Sequence, residues 1–262
     1  MTATVDLQET WQRRRGPRHL LRSYAHMLRY EVTSARLYLP MTLTIQTLIG
    51  AGMGIMYGFY LGNVPREAIS FLVSGVPALA LFPIGFVVVP GIVAGQRLDD
   101  TYDYTWSLPV PRTAAAGATF TVFTAVALPG TALALLISTL VYRAELHPNW
   151  GIVPAILLSA GMATSVGFAL GHGVKDARLV NLLTNLLVFV LLMFSPIVVP
   201  IDLFPDWLAS VHRVLPFWHM ANLVRAGLTN GFVSDLARSY LIAGLWTIGS
   251  IALAARVIGR RR

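Results

Sequence analysis

Catalysis needs nucleophiles, bases or metal ligands at workable spacings, and this chain offers few. Its one lysine, Lys175, follows Val174, so it lacks the Gly-Lys pair of a phosphate-cradling P-loop. A His-Glu-x-x-His zinc helix and a Gly-x-Ser-x-Gly nucleophile elbow are likewise missing. The six histidines are scattered, and His172, His212 and His219 have no metal-ligating neighbours in sequence, so they read as structural. No cysteine is present, which removes disulfides and thiolate metal sites. The expectation is a protein that is not an enzyme, with no catalytic residue, metal site or cofactor of its own.

Two polar constellations remain. One is Gln96-Arg97-Leu98-Asp99-Asp100-Thr101-Tyr102-Asp103-Tyr104-Thr105-Trp106, where three carboxylates stand beside three aromatic rings. Aromatic side chains supply contact area at protein interfaces, so a docking surface for a soluble partner is preferred here over an ordinary solvated loop. The other is punctuated by proline: Ser195-Pro196, Pro200, Phe204-Pro205-Asp206-Trp207-Leu208, Leu215-Pro216 and then Arg225. It is too apolar for a solvated loop and too broken for a membrane span.

The elements that hold these constellations are marked by where charge is missing. Asp, Glu, Lys and Arg are absent from 37–65, 68–96, 113–142, 146–174, 179–201 and 239–255. A bilayer core takes roughly 20 apolar residues as helix, with about 17 as a lower limit. Charged residues make up 12% of the chain, about half the share in a soluble domain. The fold class expected is an all-α polytopic membrane protein with six transmembrane helices. The net charge of +8 follows membrane topology rather than a nucleic-acid partner. Fifteen basic residues fall at the termini and in the second-to-third and fourth-to-fifth loops, against five on the other side. The positive-inside rule then predicts both termini in the cytoplasm of a cell inner membrane.

Residues 1–36 lack the apolar core of a signal peptide. Leu20, Leu21, Tyr24, Met27, Leu28 and Val32 share one helical face, while Arg22, Arg29 and Arg36 share another. This predicts an amphipathic helix on the inner leaflet, preferred over a soluble partner-binding helix. Residues 37–262 form the transmembrane domain. Gly50, Gly54 and Gly58 mark a close helix approach, either a dimer seam or, as preferred, packing within one subunit. Pro77, Pro83 and Pro90 predict kinks in the second span. The third span, 111–141, is about 46 Å long and must tilt or protrude. In the fifth, Asn181, Thr184 and Asn185 either line a substrate path or, as preferred, hydrogen-bond between helices. Two short re-entrant helices are expected within 203–231, one starting at Asp206, the other running from Phe217 to about Leu228.

The proline-punctuated segment resembles the C-terminal signature of ABC-2 type permeases, in which a Leu-Pro precedes a short helix carrying an arginine. Leu215, Pro216 and Arg225 hold those places. The stretch Gln96–Thr101 followed by Leu108-Pro109-Val110-Pro111-Arg112 resembles that family's loop between the second and third spans. Gln96 stands where the family commonly has Glu, and Asp100 where it commonly has Gly. The resemblance covers nearly the whole chain. It implies a permease subunit of an ABC exporter that pairs as a homodimer or with a paralogous permease. A separate ATPase subunit would bind ATP and Mg and grip the coupling loop, 96–112, at Arg97, Asp99, Asp100, Asp103, Tyr104 and Trp106. Pro196, Pro200, Pro205, Trp207, Pro216 and Arg225 would belong to a gate. Size and loop spacing resemble the daunorubicin-exporter-like branch, which implies a hydrophobic drug or lipid-like substrate and a role in antibiotic resistance; a polysaccharide is the alternative substrate. Two other readings are an ion-gradient-driven secondary transporter and a non-transporting membrane scaffold. The near absence of charge within the spans argues against the first of these.

Overall fold

Lipid offers a backbone no hydrogen-bond partner, so a chain with this pattern must satisfy its peptide groups within helices. The computed structural model describes residues 16–61, 65–99 and 110–260. Among them the elements are helical, with no strand. In order they are α1 (Pro17–Leu61), α2 (Arg66–Leu98), α3 (Arg112–Tyr142), α4 (Ile152–Gly173) and α5 (Ala177–Phe194). The short helices α6 (Asp206–His212) and α7 (Pro216–Leu228) follow, and α8 (Leu236–Arg260) closes the chain. Six of these, α1 to α5 and α8, are long and apolar enough to cross a membrane. The protein is an all-α polytopic membrane protein.

The starts of α1 and α3 meet the ends of α2, α4 and α8 at one end of the bundle, termed basal. There Tyr24 donates to Thr121 at 2.9 Å and Arg112 to the Ile258 carbonyl at 2.8 Å. The opposite, distal end holds α6, α7 and the loop between α3 and α4. Helix α2 forms the axis, with every residue from Leu72 to Pro83 buried. By contrast, only 28% of the apolar stretch of α1 and 22% of that of α5 is buried, so both keep broad outward faces.

The expected kinks of α2 appear as a π-turn, Ile84–Val88, between Pro83 and Pro90. The Val89 N–H reaches back five residues to the Ile84 carbonyl. Proline removes a helical donor, and π-turns are one way a helix absorbs the loss. Here α4 also presses in. A Cβ on Gly167 would stand 1.9 Å from the Gly85 carbonyl oxygen, and one on Gly85 would stand 2.6 Å from that of Ala163.

The glycines of α1 settle their two alternatives in favour of packing within one subunit. Cβ atoms on Gly50 and Gly54 would lie 2.7 Å from Ala80 Cβ and Val76 Cγ2 of α2. Gly58 faces the ring of Tyr142, whose hydroxyl donates to the Ile55 carbonyl at 2.7 Å.

The amphipathic segment and the first span are one helix of 45 residues, about 68 Å long at about 1.5 Å per residue. No break falls at residue 36. Residues 24–38 pack on α3: Met27 against Ala115 and Ala118, Glu31 accepting from Thr119 at 2.7 Å, and Tyr38 stacked on Phe123 at 5.9 Å. The reason lies in the length of α3. Its 31 residues outrun a bilayer core of about 30 Å, and the surplus gives this part of α1 a protein surface to cover. Leu20, Leu21 and Val32, from the same expected apolar face, stay exposed.

Candidate functional site

The distal end is assembled by prolines at element boundaries. Helix α5 ends where the Ser195 N–H bonds the Leu191 carbonyl, and Pro196, Ile197 and Val198 then turn inward, buried. Pro200 leads a short 3-10 turn, Ile201–Leu203. Pro205 precedes α6, and Pro216 occupies the first turn of α7, where its missing N–H costs nothing. Gly231, at φ 87°, supplies the left-handed turn that returns the chain towards α8. With 13 residues, α7 is about 20 Å long and too short to cross about 30 Å of hydrocarbon.

Helix α7 is nonetheless deeply buried, with Met220, Ala221, Leu223 and Val224 fully covered. A Cβ on Gly227 would lie 2.6 Å from Ile152 Cα of α4. The last carbonyls of a helix need partners, and the loop between α3 and α4 supplies them. His147 N–H bonds the Leu228 carbonyl at 2.8 Å and Asn149 N–H that of Gly227 at 2.9 Å. Asn149 Nδ2 donates to the Ala226 carbonyl at 2.9 Å.

Arg225 is 1% exposed. It donates through Nη1 to Asn222 Oδ1 at 3.1 Å and through Nη2 to the carbonyls of Ile197 and Phe71. Its guanidinium carbon lies 3.7 Å from the centre of the Phe71 ring, within cation–π range. One side chain thus ties α2, the turn after α5, and α7 together. Gly75 leaves it room, since a Cβ there would come within 3.2 Å of Nη2. Burial pulls the guanidinium pKa down to about 9, which leaves the group charged at neutral pH. Among the described residues no carboxylate pairs with it; carbonyl dipoles and an aromatic face carry the charge instead.

Phe71 and Asn222 also line a polar cavity of about 430 Å³ whose wall includes Asp202, Arg213, Asp235 and Arg238. His219 lines it too. Its Nε2–H donates to the Arg213 carbonyl at 2.9 Å, which leaves Nδ1 of the neutral ring to accept from the Ser239 hydroxyl at 3.1 Å. Burial lowers the His219 pKa. Of the residues expected in a gate, Pro196, Pro216 and Arg225 are buried together in this region, while Pro200 and Pro205 stand exposed at its edges. Trp207 projects from α6 at 68% exposure.

At the basal end Arg97 grips the end of α4. It donates to the carbonyls of Val174, of Lys175 at 3.4 Å and of His172 at 3.3 Å. Asp99 caps α2, its N–H bonding the Gly95 carbonyl at 3.0 Å, and its side chain is exposed. Asp100, Asp103, Tyr104 and Trp106 lie outside the described residues. Asn181 and Asn185 are exposed on the outward face of α5, and their bond runs along their own helix, from Asn185 Nδ2 to the Asn181 carbonyl at 2.9 Å. The hydrogen bonding between helices expected of them is not formed among the described residues.

Sequence reasoning passed over Asn222 and Phe71. Asn222 carries a signal, three residues before Arg225 and so on the same face of α7. Phe71 carries none, being 154 residues away.

A family model for the ABC-2 type transporter matches residues 25–229, from the basal part of α1 through the end of α7. No match to the chain emerges among curated proteins. The matched stretch includes the segment 96–112, five of the six charge-poor spans and the Arg225 cluster, and the chain therefore belongs to the ABC-2 type transporter family, as a membrane-embedded permease component.

Proposed function

We propose that this permease is an exporter subunit that works in pairs, powered by a separate ABC ATPase that binds ATP and Mg and docks at the basal end. The observation that carries the reading is the Arg97 grip. The segment 96–112 begins on a side chain bonded to the end of α4, so a push delivered there reaches the spans directly. The excess of basic residues supports a cytoplasmic basal end in an inner membrane. The outward faces of α1 and α5 suit pairing with a second copy or a paralogous permease. Leu37, Met41 and Leu48 on α1, and Leu182, Leu186 and Phe189 on α5, are all exposed. Asn181 and Asn185, on that face of α5, would border the seam and the substrate path. The apolar surroundings favour a hydrophobic drug or lipid-like substrate, as in the daunorubicin-exporter-like branch, over a polysaccharide. The re-entrant cluster around Arg225 would gate its exit.

The test is co-expression with an ABC ATPase subunit, purification in mild detergent and an ATPase assay in nanodiscs. The triple reversal Asp99→Lys, Asp100→Lys, Asp103→Lys should abolish co-purification and coupled ATPase activity while thermal unfolding of the permease stays unchanged. Unaltered association and transport in that variant would refute docking at this loop.

A further inference from the structure

The polar cavity at the distal end holds charge of both signs, none of it neutralised from within. Asp202 lies in the turn after α5, Arg213 just past α6, and Asp235 and Arg238 at the start of α8. All four are exposed. Among the described residues none of the four forms an ion pair, and the side chains of Asp202, Arg213 and Arg238 bond no other group of the protein. Asp235 uses Oδ1 to accept the Arg238 N–H at 3.1 Å, which leaves its second oxygen open. Opposite charges that share about 430 Å³ without closing on each other suit a ligand that carries both.

The buried wall adds a donor. Asn222 is 7% exposed and lines the cavity. Arg225 has only donors, so the Asn222 atom that it bonds at 3.1 Å is the amide oxygen. The Asn222 Nδ2 group has no partner among the described residues, and a buried donor calls for an acceptor. His219 brings no further group, since the Arg213 carbonyl and Ser239 occupy its two ring nitrogens.

Depth selects the source of the ligand. Asp202 closes the uncharged run 179–201, and Arg238 precedes the run 239–255. The cavity thus sits where charge resumes beyond the hydrocarbon core, at the level of lipid headgroups. Leu203 and Val214, the neighbours of Asp202 and Arg213, are 75% and 65% exposed, which suits acyl chains beside the mouth better than open water. The type of ammonium follows from the aromatic rings. A quaternary ammonium is held by an aromatic cage, but here Arg225 covers the Phe71 face and Trp218 stands edge-on to the His219 ring. The open carboxylate oxygens accept hydrogen bonds, which only a protonated amine can donate.

We infer that the distal cavity binds the headgroup of one phosphatidylethanolamine, its phosphate held by Arg213, Arg238 and Asn222 and its ammonium by Asp202 and Asp235. Calling that leaflet the outer one rests on the orientation proposed above; the site itself does not. Lipid binding in detergent involves neither orientation nor an ATPase, so failure of the site and failure of the exporter reading are separable.

The experiment titrates the full chain in mild detergent with phosphatidylethanolamine, phosphatidylcholine and phosphatidylglycerol of identical acyl chains, and counts bound lipids by native mass spectrometry. One phosphatidylethanolamine should bind about fivefold more tightly than either of the others, the scale of a strong exposed ion pair. Asp202→Asn with Asp235→Asn should erase its advantage over phosphatidylcholine, and asparagine keeps the cap on α8. Arg213→Gln with Arg238→Gln should weaken phosphatidylethanolamine about tenfold, corresponding to about 1.4 kcal/mol. Ser234→Trp, at an exposed lining position, should fill the cavity and remove the tight site. Thermal unfolding confirms that each variant is folded. Equal binding of the three lipids, tighter binding of phosphatidylglycerol, or an affinity unchanged in the folded arginine and Ser234→Trp variants would overturn the site. An advantage over phosphatidylcholine that persists in the folded carboxylate variant would overturn the ammonium assignment. Glycerophosphoethanolamine, which has the headgroup without the chains, should compete only at far higher concentration. Competition at the same concentration as the lipid would overturn the lipid assignment in favour of a soluble zwitterion.

Discussion

Arg225 shows how a membrane protein buries a cation among carbonyl dipoles and an aromatic face. Three oxygens and one aromatic face surround it, and if the side chain were cut back Asn222 Oδ1 and the Ile197 carbonyl would lose this donor, whereas the Phe71 carbonyl would keep the Ser74 hydroxyl at 2.9 Å. Leaving a buried acceptor unsatisfied costs about 1–3 kcal/mol. Arg225→Met is therefore expected to destabilise the fold by about 3 kcal/mol or more, read as a lowered unfolding midpoint in detergent. Lysine keeps the charge but loses the planar fork that reaches several acceptors at once, so Arg225→Lys should fall between methionine and wild type. His219 sets a pH dependence. Burial lowers its pKa, with the Arg213 carbonyl and Asp235 opposing that shift and Arg238 adding to it. A depressed pKa means that the folded state favours the neutral ring. Its contribution to stability is full above the unfolded value of about 6.5 and is lost as pH falls from there through the folded pKa. The unfolding midpoint should drop between pH 7.5 and pH 5, and His219→Gln should flatten that drop. A residual slope is expected from His212, whose pKa burial also lowers.

At the scale of elements, the close approach of α1 to α2 gives a paired test. Gly50→Ala forces a Cβ to 2.7 Å from Ala80 Cβ, an overpacking expected to cost about 1–3 kcal/mol. Gly52→Ala meets nothing within 4 Å and should stabilise by about 0.5–1 kcal/mol through reduced backbone entropy. Thermal unfolding of the two variants side by side reads both signs. Much of this architecture was legible in the sequence because lipid tolerates so little charge: each of the six uncharged runs corresponds to a long helix. The short helices α6 and α7 were legible from their flanking prolines. The union of the amphipathic segment with the first span was not, because residues 24–36 look the same whether headgroups or α3 cover them. Three prolines announced a distortion in α2 but not its kind, which depends on Gly167 approaching from 82 positions further along. Arg225 was visible through its family place, whereas its bonds to Phe71 and Ile197 exist only once three separate elements have met.

For the whole molecule, a chain without cysteine is well suited to a measurement of its orientation in the bilayer. Asn230→Cys at the distal end should react with a membrane-impermeant maleimide in intact cells. Asp99→Cys and Arg256→Cys should react only after permeabilisation. All three positions are exposed, so the reverse pattern would mean an inverted topology rather than hidden thiols. The axis of the bundle has a further property. The π-turn of α2 holds one residue more than an α-helical turn allows, with eighteen residues above it and ten below. In a crystal such an extra unit is a dislocation, and a dislocation moves by exchanging one bond at a time while the lattice on either side stays whole. Each step here would reset only the residue it passes, by about 100°, so the π-turn could travel along α2 while the segments on either side, the one bearing Arg97 included, keep their orientation to each other.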